Sequence, residues 1–283
     1  MKLLDTHQHL IYRDRLGYGW TAGIPALSEG DFPVETYNAL TDGQVAGALF
    51  MEAAVDDADY QAEARLISGL ARDPACGILG LIASCRPETD AGFEAWLDEC
   101  SDLGVVGFRR VLHVVEDDMS KSETFRANLR RIGARGMSFD MCFLARQLPI
   151  AFDLALACPD MPLVLDHCGV PDIAGGAFEG WAAQITALAS LPHVTCKLSG
   201  LTAYAGADQD RAQAIRPYVD HVLASFGPAR MVWGSDWPVV DLGSGLPDWL
   251  KLTRDILSPL SEDESADIAH RTAERIYGVR LPV

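Results

Sequence analysis

The chain has 283 residues, 49% hydrophobic and 22% charged, and its 40 acidic against 23 basic side chains leave a formal charge of −17. That balance excludes a broad basic stripe for nucleic acid and adsorption to an anionic membrane, since both would work against net repulsion. No apolar stretch approaches the ~20 residues of a membrane span, and Met1-Lys2-Leu3-Leu4 runs directly into Asp5 with no signal core, so a cytoplasmic chain is expected.

Short runs rich in Val, Ile, Leu and Phe occur at 3–9, 45–51, 77–83, 104–111, 138–143, 163–168, 194–199 and 231–236. They are near-continuously apolar, which predicts strands buried on both faces, as in a parallel sheet covered by helices. After the first of them, residues 11–33 form the longest irregular stretch, with Tyr12, Tyr18, Trp20 and Phe32 among glycines, and its position predicts a lid or pocket wall. Further on, Phe93, Trp96, Leu97 and Cys100 share one helical stripe. Ser120-Lys-Ser-Glu123 reads as a capping box opening a helix through Phe125, Leu129 and Ile132. Ser261-Glu-Asp-Glu264 opens another, through Ile268 and Ile276 to Gly278. Strand then helix, eight times, predicts an α/β fold of the (β/α)8 TIM barrel type. No linker or composition shift divides it, so residues 1–283 are expected to form a single domain. The seven cysteines are odd in number and contain no CxxC pair, which suits reduced core thiols.

A TIM barrel gathers the C-terminal ends of its strands at one mouth, and the polar residues there are candidates for chemistry. The first strand ends in Asp5-Thr6-His7-Gln8-His9, and a period of two puts His7 and His9 on the same face as Asp5. Two converging imidazoles can ligate Zn2+ at about 2.0 to 2.1 Å or donate to a substrate carbonyl. Other strand ends bring Glu52, Arg109-Arg110 with His113 beyond, Asp166-His167, Lys197, and Gly234-Ser235-Asp236-Trp237. Burying such groups costs several kcal/mol unless they are paired or used, so their gathering at one end points to a site. Only one of Arg109 and Arg110 can face inward, and Arg109 is the choice. His193 begins a strand, and His221 and His270 fall in helical segments, so these three are expected to be structural or exposed.

The segments Asp5-Thr6-His7-Gln8-His9, Asp166-His167-Cys168-Gly169-Val170-Pro171, Cys196-Lys197-Leu198-Ser199-Gly200-Leu201 and Gly234-Ser235-Asp236-Trp237-Pro238-Val239 together resemble the amidohydrolase superfamily. They resemble in particular its amidohydrolase-2 branch, which includes sugar-acid lactonases and pyrone dicarboxylate lactonase. The resemblance spans residues 3 to about 278. It implies a TIM barrel hydrolase in which His7, His9, His167 and Asp236 surround the reacting carbonyl. Many members hold one or two divalent metals. Here the fifth strand offers no histidine and the fourth offers arginine where a bridging lysine would stand, so a binuclear site is not expected. One divalent ion, Zn2+ by ligand type, on His7, His9, His167 and Asp236 fits the residues, and a metal-independent lactonase fits them as well.

The expected function is opening of an aldono- or aldarolactone of a sugar acid by water, with Asp236 as general base and the three histidines, or their metal, stabilising the oxyanion. Arg109 and Lys197 are expected to hold substrate hydroxyl or carboxylate groups. Trp20, Tyr18 and Trp237 would wall the sugar, and Glu52 and His113 would also contact substrate. The alternatives are a metal-dependent decarboxylase or another hydrolase of the same branch, a lactone isomerase, and a non-catalytic sugar-acid binder. The partner in each case is a small molecule, not nucleic acid or membrane, and homo-oligomerisation is left open.

Overall fold

In the computed structural model, which describes residues 2–282, the eight apolar runs become eight parallel strands paired in chain order. They are β1 (Leu3–Gln8), β2 (Val45–Met51), β3 (Ile78–Ser84), β4 (Val105–Val111), β5 (Ser138–Cys142), β6 (Leu163–Leu165), β7 (Val194–Leu198) and β8 (Met231–Trp233). The last strand returns to the first. The N–H of Asp236 donates to His7 O and that of His9 to Trp237 O, both at 2.8 Å, and the Thr6 hydroxyl donates to Trp233 O. A nearly closed (β/α)8 barrel results.

The crossovers are α1 (Val34–Thr41), α2 (Tyr60–Ala71), α3 (Phe93–Asp102), α4 (Glu123–Ala134), α5 (Leu148–Ala157), α6 (Phe178–Ala189), α7 (Arg211–Phe226) and α8 (Leu246–Leu257). Helix α3 buries Phe93, Trp96, Leu97 and Cys100 as its stripe predicts. Helix α4 begins two residues later than its first serine suggests: Ser122, not Ser120, accepts the N–H of Phe125, while Ser120 lies in a preceding turn. The Ser261–Glu264 capping box is formed and opens α9 (Glu262–Ala266). A π-helical turn over Asp267–Arg271 follows, then α10 (Thr272–Tyr277) and a left-handed Gly278.

Two apolar layers form the core. One lies between strands and helices, and the other fills the barrel, where Leu4, Leu49, Ile82, Val164 and Val232 meet Ala273, Tyr277 and Val279. The C-terminal segment thus closes the N-terminal end of the barrel, leaving polar residues to the other end.

Strand register decides which polar residues reach the interior. Between Asp5 and Gln8, β1 uses three residues where β2 uses two, from Ala48 to Phe50, so β1 bulges. A bulge reverses the alternation. Asp5 therefore does not share a face with His7: it turns toward α1 and accepts from Tyr37 and from the N–H groups of His7 and Ser235. Its partners brace the β1–β8 seam. In β4 an extra residue lies between Val105 and Gly107, opposite Leu81 and Ile82. Arg109 then faces inward, and Arg110 faces outward to Glu88 at 2.9 Å.

Candidate active site

At the C-terminal mouth His7, His9, His167 and Asp236 come together, all buried. Asp236 Oδ1 lies 3.6 Å from His7 Nε2 and 3.5 Å from His9 Nε2, and Oδ2 lies 3.8 Å from His167 Nδ1. The imidazole of His7 stands edge-on to His9, with ring centroids 4.8 Å apart, and 4.4 Å from His167. β6 and β8 stop before these residues, earlier than the apolar runs suggest, because the chain turns left-handed at His167, Cys168 and Asp236, with φ of 53°, 52° and 59°. Such φ values in residues other than glycine are strained and concentrate at functional sites. Gly200, also left-handed, closes one wall: a Cβ there would lie 2.7 Å from His167 Nδ1 and 3.1 Å from Asp236 Oδ2.

A layer of buried charge supports this cluster. Arg109 donates from Nε to Glu52 Oε1 and from Nη2 to Glu52 O, both at 2.6 Å, and from Nη1 to His7 Nε2 at 3.2 Å. Lys197, at 0% exposure, places Nζ 2.5 Å from Asp140, 3.0 Å from Asp166 and 3.1 Å from Thr6 O. Burial alone would lower the lysine pKa, but Asp140 and Asp166 outweigh it and raise the value, so the ammonium is retained. Burial opposes the charge of Asp166, yet Lys197 and His7 hold its carboxyl well below the usual range. Glu63 is pushed well above that range by burial and by Glu52. Burial holds His7 well below 6.5, which makes it a neutral imidazole at pH 7.

His7 and His9 each turn Nε2 toward Asp236 Oδ1. His9 Nδ1 lies 3.0 Å from Met51 O, an atom that only accepts, so Nδ1 carries the hydrogen and Nε2 the lone pair. Arg109 only donates, so His7 Nε2 is likewise an acceptor. His7, His9 and Asp236 each offer one ligand atom, all within 4.8 Å of one another, the His9 lone pair free and that of His7 accepting from Arg109. A metal ion bound here would have to take the His7 lone pair from Arg109 Nη1. Two imidazoles and a carboxylate form a donor set suited to Zn2+, and the hydrogen bond on His9 Nδ1 is the kind that orients metal-bound histidines. Asp236 Oδ2 is buried without a hydrogen-bond partner, so this second oxygen is free.

Other residues singled out from sequence lie elsewhere. Lys197 and Glu52 are committed to buried ion pairs one layer below the cluster and offer no face to a substrate. Trp237, 1% exposed, packs against Phe32 and Tyr37 with centroids 5.6 Å away, outside the mouth. Nor does Tyr18 wall a pocket, because it is buried with Ile11, Leu16, Ala53 and Val55 beneath the 11–33 loop. That loop is braced by a bridge between Ile11 and Phe32 and by Arg13, which donates to Gly30 O and Leu27 O. Trp20 is 38% exposed and tied by its indole N–H to Ala53 O at 2.8 Å. His113 is half-buried with Nδ1 3.3 Å from Cys142 Sγ, and burial, then Arg109, push its pKa to about 4. His193 and His221 bond to backbone carbonyls, and His270 to Glu274.

Two participants escaped sequence reasoning. Ser199, the residue after β7, has Oγ 2.9 Å from His167 Nδ1. Tyr204, in the following loop, stands edge-on to His167 at 6.2 Å, and its phenol has no hydrogen-bond partner among the described residues. Burial and the nearby Asp236 keep that phenol protonated. No periodic pattern marks a residue in such a loop.

Comparison with known proteins agrees with this architecture. A model of the amidohydrolase family (Amidohydro_2) matches residues 4–279. An L-fucono-1,5-lactonase from Burkholderia multivorans is 30% identical over 99% of this chain and 97% of its own length. A lactonase of the same name from Burkholderia ambifaria is 35% identical, over about half of each chain: 50% of this one and 49% of that one. Among solved structures, an amidohydrolase from Burkholderia multivorans with bound Zn superimposes with a TM-score of 0.89 at 28% identity, covering 99% of this chain and all of the other. By the family match and by full-length similarity, the chain belongs to the amidohydrolase family.

Proposed function

We propose that the protein is a lactonase that opens the ring of a sugar-acid lactone by adding water to its carbonyl, with residues 1–283 acting as one domain. The observation that carries this reading is the free, buried Oδ2 of Asp236 beside three histidines at the mouth of the barrel. It is supported by full-length similarity to an L-fucono-1,5-lactonase.

In this mechanism Asp236 Oδ2 takes a proton from water as its oxygen attacks the carbonyl carbon. The carbonyl becomes a tetrahedral oxyanion, and donors aimed at that oxygen are worth most in acyl transfer. His167, oriented by Ser199, supplies one. As the oxyanion collapses, the bond from carbonyl carbon to ring oxygen breaks, and Asp236 returns its proton to the departing alkoxide. The product is a hydroxy acid, and the aspartate is regenerated as a carboxylate. Its two oxygens divide the work: Oδ1 faces His7 and His9, while Oδ2, beside His167, handles the proton.

His7, His9 and Asp236, with His167 beside them, would hold one divalent ion, zinc by donor type, which when bound supplies a Lewis acid to polarise the carbonyl. Arg109 and Lys197 set the positions of His7 and Asp166 from below. Tyr204, beside His167, and Trp20, half-exposed on the 11–33 loop, would meet the sugar. The substrate is a small molecule, and no helix among the described residues is long and apolar enough to cross a membrane. A cytoplasmic enzyme of carbohydrate metabolism fits these properties.

Aldono-1,5-lactones of differing stereochemistry, offered in a pH-indicator buffer, test the reading. Catalysed acid release from at least one is expected. Binding without acid release would instead indicate a sugar-acid binding protein.

A further inference from the structure

We propose that Arg109 is a built-in competitor of the divalent ion: by donating to His7 it withholds one ligand of the set His7, His9 and Asp236, and so makes the mouth of the barrel a weak metal site. The inference rests on assigning one ion to that set and not on the lactonase reading, so binding alone tests it.

Protein cations already touch both groups of ligating side chains at the mouth. The outer group is His7, His9 and Asp236, and the inner one is His7, Asp166 and His167. In the inner group the ammonium of Lys197 lies 3.0 Å from Asp166 Oδ1 and 3.2 Å from His7 Nδ1. In the outer group Arg109 Nη1 lies 3.2 Å from His7 Nε2, the atom that also faces Asp236 Oδ1 at 3.6 Å.

The tautomer of His7 follows from these neighbours. The three protons of Lys197 have Asp140 Oδ2, Asp166 Oδ1 and Thr6 O to go to, at 2.5, 3.0 and 3.1 Å, so Nδ1 need not accept from it. Nδ1–H then donates to Asp166 Oδ1, 3.4 Å away, and the lone pair of the ring is on Nε2, where Arg109 donates to it. The Nε2 lone pair of His9, by contrast, has no donor on it among the described residues.

Arg109 is not free to swing away. The extra residue in β4 turns it inward, and Glu52 Oε1 and O hold Nε and Nη2 at 2.6 Å. Glu52 is itself fixed, because its other carboxylate oxygen accepts the N–H of Ala54 at 3.0 Å. A fork held at two of its arms points the third at His7 with little further loss of freedom. Glu52 also neutralises much of the guanidinium charge, so the contest is over the lone pair more than over charge. An ion that engages His7 Nε2 must displace a hydrogen bond from a charged donor in a buried site, and such bonds are worth roughly 10- to 100-fold in an equilibrium constant.

The readout is Zn2+ affinity, measured by calorimetry on full-length protein stripped by dialysis against a chelator. The main variant combines Arg109→Met with Glu52→Gln, which removes the cation and its carboxylate together and leaves neither buried alone. It is expected to bind one Zn2+ about 10- to 100-fold more tightly than the wild type. Glu52→Gln alone, which keeps the guanidinium, is not expected to bind more tightly. Damage to the fold would weaken binding, so a merely structural role for Arg109 does not produce a gain. Affinity of the double variant equal to or below that of the wild type, or no binding by either, overturns the inference. A second comparison keeps Arg109 in place. Because His7 must first be taken from Arg109, His7→Ala should lose about tenfold less affinity than His9→Ala. Equal losses, or a larger loss at His7, overturn the inference, and this comparison decides the matter if the double variant does not fold. Failure of every lactone to turn over would end the lactonase reading and leave these affinities unaffected.

Discussion

The two ends of the barrel are built from the same strands by opposite means. At the N-terminal end Leu4, Leu49, Ile82, Val164 and Val232 close on Ala273, Tyr277 and Val279, an apolar plug whose burial favours folding directly. At the C-terminal end the same strands carry histidines, carboxylates, an arginine and a lysine, mostly without access to water. Buried ion pairs of this kind gain little or nothing over apolar packing, and left-handed turns at His167 and Asp236 add strain. A protein built for stability alone would repeat the first end at the second. The contrast separates what holds the barrel together from what the barrel holds in place, and substitutions can test each side.

The largest effect on stability is expected where the ends meet. Asp140 accepts from Lys197 on the mouth side and from Tyr277 of α10 on the other, at 2.5 and 3.0 Å. Lys197→Met leaves Asp140 and Asp166 buried without their cation and should cost about 3–5 kcal/mol, read from denaturant unfolding. A loss under 1 kcal/mol would mean that the ammonium is not what neutralises this layer.

A smaller effect belongs to pH. His113 has its pKa lowered from 6.5 to about 4, so below pH 6.5 the unfolded chain binds this proton more readily than the folded one. The stability it contributes is full above pH 6.5 and is lost progressively toward pH 4. Asp140, raised by burial to about 6, works in the opposite direction over part of that range, so the comparison is best made against His113→Asn. From pH 7 to pH 4 the wild type should lose at most about 3 kcal/mol relative to that variant. Parallel stability curves would contradict the lowered value.

The smallest effect is expected at the plug. Tyr277→Phe removes one donor to Asp140, keeps the packing and should cost about 1–2 kcal/mol while leaving turnover unchanged. A large fall in activity would show that the two ends are coupled more tightly than their contacts indicate.

The eight strands were legible in the sequence because parallel strands buried on both faces are apolar runs, and these survive small errors at their ends. Depth was not legible. Lys197 and Glu52 sit at strand positions that any reading by alternation points toward substrate, yet both lie one layer beneath the mouth, where partners from other strands consume them. Strict alternation puts Asp5 on the face of His7, but a bulge in β1 reverses it, and no residue in Asp5-Thr6-His7-Gln8-His9 marks a bulge. The early ends of β6 and β8 were hidden for a related reason: the left-handed residues there are not glycines. Trp237 follows Asp236 and shares its neighbourhood in sequence, but the chain turns it outward to Phe32 and Tyr37. The histidines and Asp236 were legible because they stand where strands end, which the fold alone brings together.

The most direct test of the account is the turnover of Asp236→Asn on the best aldono-1,5-lactone. The amide keeps the side chain's shape but is not a base, so kcat should fall by about 10^3-fold or more while circular dichroism and unfolding midpoint stay near wild type. A folded Asp236→Asn protein that hydrolyses the lactone at close to the wild-type rate would contradict it.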